Sequence, residues 1–225
     1  MHETSLSAPP AQDAAHRPID PAILYFGTPV VLLSTRNEDG TPNLAPFSSV
    51  FWLGRRAVLG IGARSATARN LLRTGECVLN LPSDDLASAV DRLALTTAAD
   101  PVPPTKARRG YRHVRDKFGR AGLGATPSET VAPPRVTECP VHMEAVVRAA
   151  HPVAEDDPAA RGGVIAFEAE VTRVHVTDAL RLPGTADRID PDAWRPLIMS
   201  FQQFYGLGPR LRPSALATID EELYL

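Results

Sequence analysis

The stretch GTPVVLLSTRNEDGTPNLAPFSSVFWLGRRAVLGIGARSATARNLLRTGECVLNL, residues 27–81, decides the fold. A β-rich apolar run, Val30 to Thr35, breaks at Asn37-Glu38-Asp39-Gly40. An Asp-Gly step between apolar runs is a strong hairpin signal. Thr41 to Leu53 returns as a second strand, Gly54-Arg55-Arg56 turns, and Ala57 to Ile61 is a third. Connections this short join antiparallel neighbours, because a parallel crossover needs roughly a dozen residues. Ser65 can cap the helix that follows, with Ala68, Leu71 and Leu72 at helical spacing and Gly75 as its stop. Glu76 to Leu81 is a fourth strand, closed by Pro82.

Working outward, Asp84 to Leu95 predicts a second helix with Leu86, Ala89, Val90 and Leu93 on one face. Asp100 to Pro104 is a proline-rich loop, Lys106 to Arg120 a basic helical segment, and Gly122 to Pro134 irregular. Two long β stretches follow, Cys139 to His151 and Gly163 to Val176, with Glu155 to Gly162 as their hairpin loop. Pro191 to Phe204 reads as helical and the tail from Pro209 as extended. The pattern predicts a mainly β protein with inserted helices, an antiparallel β-barrel and not a doubly wound sheet. The expected organisation is a disordered start over residues 1–20, one domain over 21–208 carrying the inserted segment 100–134, and a tail over 209–225.

Composition narrows the function. Among 225 residues, 24 Lys and Arg face 26 Asp and Glu, so the formal charge of −2 gives no electrostatic case for nucleic acid or membrane. No apolar run reaches the roughly 18 residues of a spanning helix, and the start lacks a secretory pattern. The two cysteines, Cys77 and Cys139, form no metal or redox spacing and read as buried free thiols of a cytoplasmic protein. The 22 prolines, about twice the usual share, favour loops and strand edges.

Two features suggest a site. Gly60-x-Gly62-x-x-Ser65 superficially resembles a dinucleotide fingerprint, but the strands before it are hairpin-linked and the third glycine is absent. The phosphate chemistry survives without that fold. Arg64 offers a fork of donors, Ser65 and Thr67 offer hydroxyls, and the helix start offers free N–H groups. A plain serine cap flanked by surface arginines fits the same residues. Asn43-Leu44-Ala45-Pro46-Phe47-Ser48-Ser49 is unusual for a strand, because Pro46 cannot donate to a ladder. It marks an edge, a bulge or a place where a planar ligand meets freed backbone groups.

Asn43 to Ser48, then Ser65-Ala66-Thr67-Ala68-Arg69-Asn70, then Gly75 to Leu81, together with Glu138-Cys139-Pro140-Val141-His142-Met143-Glu144, resemble the flavin reductase-like, FMN-binding split-barrel family. The resemblance covers about Gly27 to Val176. It implies a homodimeric antiparallel split β-barrel holding FMN, with FAD the less favoured flavin. By the match, Asn43, Ala45, Pro46, Phe47, Ser48 and Ser49 would follow the isoalloxazine and ribityl chain. Arg64, Ser65, Thr67 and Asn70 would surround the phosphate, and Asn80 would sit near the flavin. Members commonly take hydride from NADH or NADPH and often supply a monooxygenase. Others act on organic substrates or carry electrons.

The sequence marks no catalytic triad and no metal set, and flavin chemistry requires neither. His142 and Glu144 share one strand face, read as polar and exposed. The basic segment 106–120 reads either as a solvated face or as a lid whose cations meet a nucleotide phosphate or a partner enzyme. Tyr111 and Phe118 within it are expected to pack on the barrel.

Overall fold

The computed structural model describes residues 16–224. The disordered start expected over residues 1–20 falls largely on residues 1–15, outside the described residues. The chain opens with β1 (Phe26–Pro29), β2 (Val31–Arg36), β3 (Pro42–Phe47), β4 (Val50–Leu53), β5 (Arg56–Gly62), α1 (Ala66–Thr74) and β6 (Glu76–Leu81). Short elements follow: α2 (Ala87–Asp91), β7 (Thr96–Thr97), α3 (Pro104–Ala107), β8 (Arg112–His113), α4 (Lys117–Ala121), β9 (Ala125–Thr126) and β10 (Arg135–Val136). The long hairpin β11 (Val141–Val153) and β12 (Val164–Val176), then β13 (Ile198–Ser200) and β14 (Gln203–Tyr205), complete the strands.

The main sheet has seven strands in the order β3-β2-β6-β11-β12-β5-β4, and every pairing in it is antiparallel. Its edge strands β3 and β4 are consecutive in sequence, separated only by Ser48 and Ser49. Two residues can span about 7 Å. The sheet must therefore curl until its edges nearly meet, which closes a barrel and leaves a seam between β3 and β4. The expected single strand over Thr41 to Leu53 is thus two strands on opposite edges. The fold is the antiparallel barrel that the alternation and hairpins predict, and it is split as the family resemblance implies.

Two cores explain the residue pattern. Val31, Leu33, Leu59, Leu79, Ala145 and Phe167 fill the barrel. Outside it, Val30, Leu32 and Leu44 pack under Val90, Leu93, Phe118 and Leu197. β2 is buried on both faces, so it reads as an unbroken apolar run and not as an alternation. Cys77 and Cys139 are free and buried, and burial pushes the Cys77 thiol up to about 12.

Several helices are shorter than their periodicity suggests. Asp84 to Leu95 gives a 3₁₀ turn and the five-residue α2 before Leu95 turns to φ +54°. Lys106 to Arg120 gives only the single turns α3 and α4 around β8, with Gly110 at φ +84° breaking the run. Pro191 to Phe204 is not a helix. Pro196 cannot continue one, and β13 pairs with β1 and with β14 across Phe201 and Gln202, both at positive φ. The tail from Pro209 carries 3₁₀ turns at Ala215–Thr218 and Glu221–Tyr224 and is not simply extended.

Residues 122–138 form a strap across the outside of the barrel, pinned by polar side chains from β2, β6 and β11. Ser34 Oγ donates to the Pro134 carbonyl, and Arg36 Nε donates to that of Ala132 at 2.9 Å. Glu76 Oε2 accepts from Ala132 N–H at 2.9 Å. The face holding Glu144, expected to be exposed, is instead sealed by this strap. The Glu144 carboxylate is fully buried and accepts from the N–H groups of Glu129 and Thr130, from the Thr130 hydroxyl, and from His175 Nε2 at 2.8 Å. Burial alone would raise its pKa, but these donors outweigh burial and hold it at about 2.

Because the folded carboxyl is depressed below its ordinary 4.5, its stabilisation is complete above that pH and is lost as pH falls towards about 2. A displacement of that size corresponds to about 3 kcal/mol. Glu144→Gln is expected to cost on the order of 2–3 kcal/mol in urea unfolding at pH 7, and the gap from wild type should shrink towards pH 3. A gap that stays constant with pH would show that the carboxylate charge does not hold the strap.

Candidate functional site

The seam beside β3 opens into a cleft of about 620 Å³. Its walls are β3 on one side, β5 and the start of α1 on another, and the segment from Leu93 to Lys117 as a roof. Leu33, Phe47, Ile61, Leu93 and Leu95 supply an apolar surface. A smaller apolar annex of about 210 Å³ shares Pro46, Phe47 and Ala94 with it and reaches Met199 and Phe204.

The start of α1 presents free donors to the cleft. Ser65 stands in extended conformation and its Oγ accepts from Ala68 N–H at 3.0 Å, so it caps the helix. The Ala66 and Thr67 N–H groups belong to the first turn, which has no internal acceptors. Arg64, Ser65, Ala66 and Thr67 all line the cleft. A buried amide and hydroxyl network sets their position. Asn43 Nδ2 donates to Thr35 Oγ1 at 3.1 Å and to Thr67 Oγ1 at 3.2 Å. Asn70 Nδ2 donates to the same Thr35 oxygen at 3.0 Å and to Asn37 Oδ1 at 3.1 Å. Asn43 Oδ1 is buried with no partner among the described residues, and Asn43 lines the cleft. An unmet buried acceptor is unusual in a native core.

The sequence-predicted residues divide into three groups. Asn43, Ala45, Pro46, Phe47, Arg64, Ser65 and Thr67 come together on the cleft wall. Ser48 faces the apolar annex, and Asn70 sits behind the helix start, lining a second basin. Ser49 and Asn80 lie elsewhere. The Ser49 hydroxyl meets the Tyr25 hydroxyl, and its carbonyl accepts from Gly60 N–H at 2.8 Å, continuing the β4–β5 pairing. A Cβ on Gly60 would come within 3.1 Å of Ser49, so the glycine permits this approach. Asn80 is fully buried and holds the strap by accepting from Val136 N–H at 2.8 Å.

Sequence reading missed Lys117. It is 5% exposed, lines the cleft, and has no hydrogen bond or ion pair among the described residues. Burial lowers its pKa to about 8, with Lys106 adding repulsion. Asp116, which caps α4 by accepting from Gly119 N–H at 2.8 Å, and the buried Phe118 place the lysine on the inner side of the turn. Lys106, Arg109 and Tyr111 complete the roof, with Lys106 Nζ 5.4 Å above the Tyr111 ring. Tyr111 thus lines the cleft, while Phe118 packs in the outer core as expected.

Comparison with known proteins places this barrel in a family of flavoproteins. The profile of the Flavin reductase like domain matches residues 23–208, and the chain belongs to that family. It is 36% identical over 190 residues to the uncharacterized protein YdfE of Bacillus subtilis (strain 168), covering 84% of this chain and 88% of that protein. Among solved structures it is similar to nitrilotriacetate monooxygenase component B from Bacillus cereus, with a TM-score of 0.69 at 20% identity over 88% of this chain and 99% of the other. It is likewise similar in fold to flavoredoxin of Desulfovibrio vulgaris (Miyazaki F), with a TM-score of 0.71 at 18% identity over 91% and 100% of the two chains.

A buried lysine without a counter-charge costs stability when no anion is bound. Because the folded ammonium is less basic than the unfolded one, wild-type stability should rise as pH goes from about 8 towards 10.5. Lys117→Met is expected to stabilise the ligand-free protein at pH 7 by on the order of 1–3 kcal/mol and to remove that alkaline rise. Thermal unfolding between pH 7 and 10 reads both effects. A less stable variant would mean that Lys117 has a compensating partner.

Proposed function

We propose that this protein is an NAD(P)H-dependent flavin oxidoreductase with FMN as its flavin, the electrons passing to oxygen, free flavin or a partner monooxygenase. The observation that carries the reading is the cleft itself, where an apolar slot along an edge strand ends at a capped, cation-flanked helix start. The residues present fit FMN. Arg64, the Ser65–Thr67 helix start and Lys117 supply donors and positive charge for a phosphate. Ala45, Pro46 and Phe47 offer the apolar wall and edge backbone for a planar ring. When bound, the flavin supplies the two-electron chemistry by taking hydride from a dihydronicotinamide. The protein's own part is to position both partners and to exclude water from the slot. Among the described residues no acid or base inside the cleft is needed for proton abstraction.

The name of the nitrilotriacetate monooxygenase component supports a partner oxygenase, and that of flavoredoxin supports the alternative of an electron carrier. A direct organic substrate remains the third reading, supported by the apolar annex. We further propose a homodimer. Phe51 and Leu53 on edge strand β4, and Phe26 set edge-on to Phe201 at 4.7 Å, leave large apolar side chains in solvent. The buried free thiols support a cytoplasmic, reducing location.

Anaerobic addition of NADH and NADPH to the FMN-loaded protein, followed by flavin absorbance, tests the central reading. Bleaching by at least one nicotinamide with turnover of added free flavin is expected. Bound FMN that neither nicotinamide bleaches would leave a carrier, not a reductase. Replacing Arg64 and Thr67 by Ala should weaken FMN by about 1–3 kcal/mol per lost contact and leave riboflavin almost unchanged. Equal losses for the two flavins would remove the phosphate from the α1 start.

A further inference from the structure

The strap covers a cluster of titratable side chains that the cleft does not use. His142 on β11 and His175 on β12 are cross-strand partners beneath it, with ring centroids 6.3 Å apart. His175 has a carboxylate near each ring nitrogen. Its Nε2 lies 2.8 Å from Glu144 Oε1 and its Nδ1 3.9 Å from Glu129 Oε1, so a positive charge there is matched on both sides. His142 is placed otherwise. Its Nε2 meets the Val136 carbonyl at 2.7 Å, and because a carbonyl only accepts, that nitrogen carries the proton. Its Nδ1 is buried with no hydrogen-bond partner among the described residues. The neutral ring leaves one acceptor unmet. The protonated ring would leave a charged donor unmet, which is the costlier case. Burial accordingly holds the His142 imidazole below its ordinary 6.5, and the Val136 bond opposes that shift.

Val136 is where the strap is fastened. Its N–H donates to Asn80 Oδ1 at 2.8 Å, its carbonyl takes the His142 bond, and its side chain is fully buried in the outer core with Phe118, Ala121 and Leu123. Phe118 and Ala121 belong to α4, the turn that sets Lys117 against the cleft. Leu123 N–H donates to the Phe118 carbonyl at 3.0 Å, so α4 runs directly into the strap. Charge added at His142 therefore acts on a point that the strap and the cleft roof share. The neighbouring charges offer it little relief. Arg135 on β10 and the His175 ring on β12 both disfavour a proton on His142. Glu144 on its own strand favours one, but that carboxylate already accepts from Glu129, Thr130 and His175. Glu129, from the strap, is drawn to Arg173 at 3.6 Å.

We propose that His142 is a proton-operated latch: neutral, it fastens the strap at Val136, and protonated at Nδ1, it releases the strap together with α4 and so loosens the roof of the cleft. The closed strap binds this proton less readily than the open one. Closure is therefore complete above the ordinary histidine range and weakens as pH falls below about 6.5. That window lies well above the one for Glu144, whose carboxylate stays charged down to about 2. A proton on His175 works in the opposite direction, since its charge strengthens the hold of Glu144 and Glu129 on the sheet.

Amide hydrogen exchange on the intact protein, corrected for the intrinsic pH dependence of exchange, reads the strap and the roof separately. Between pH 7.5 and 5.0 the strap amides of Thr130, Ala132 and Val136 and the Arg120 and Leu123 amides of α4 and its end are expected to lose about tenfold in protection, while amides of the β6–β11 pairing hold. His142→Gln keeps an amide donor for the Val136 carbonyl but cannot titrate, and it is expected to abolish the fall. NMR titration of the His142 ring in the wild-type protein needs no variant. Its midpoint is expected below 6.5 and in step with the loss of strap protection. The proposal is overturned by a fall that persists in His142→Gln, by a ring titration out of step with strap opening, or by α4 amides that stay protected once the strap opens. Strap protection that rises with acid would assign control to His175, and protection lost only as Glu144 protonates would assign it to that carboxylate. Either result overturns the latch.

Discussion

The site depends on one shared oxygen. Thr35 Oγ1 on β2 accepts from Asn43 on β3 and from Asn70 on α1, and so fixes the helix start relative to two strands. Every group of the triad is buried, where an unmet amide would cost about 1–3 kcal/mol. The network is therefore coupled: moving α1 by an ångström would break bonds on both sides. Position, not strength, is its product. The free N–H groups at the start of α1 are held beside the slot along β3 by these side chains.

The barrel answers the same problem on a larger scale. The link through Ser48 and Ser49 ties opposite edges of one sheet, so the seam has a fixed width set by two residues. The strap closes the outside using side chains that a strand would ordinarily present to water. Glu76, Asn80 and Glu144 each accept from strap backbone, which lets an irregular segment lie on a sheet without orphaned N–H groups. The segment that ends in this strap begins with α4, so the inner wall of the cleft and the outer cover of the barrel are one piece of chain.

Most of the barrel was legible because hairpin chemistry and alternation are local signals. Asp39-Gly40, the short turn at Gly54 and the long β11–β12 hairpin need no tertiary information. The helices over 84–95, 106–120 and 191–204 were overread because apolar spacing does not register the contacts that stop a helix. Leu95 and Gly110 turn the chain, and Pro196 with the β1 pairing claims the last segment for strands. In the site, Asn43 and Pro46 stand out as odd residues for a strand, and Arg64 and Thr67 as donors at a helix start. Asn80 enters only through the family resemblance, and its partner is the Val136 amide, 56 positions away, which no local pattern predicts. Lys117 was invisible for the opposite reason, since a lysine in a basic run reads as a surface charge.

Lys117 has a consequence for how relatives of this chain can be read. A lysine this enclosed costs less when something negative occupies the cleft, because an empty cleft leaves its desolvation uncompensated. Occupancy therefore favours keeping lysine at this one position. A descendant whose cleft turned to uncharged ligands would gain stability by exchanging it for an aliphatic residue. The identity of a single buried side chain thus becomes a record of the ligand charge that a lineage's cleft has met.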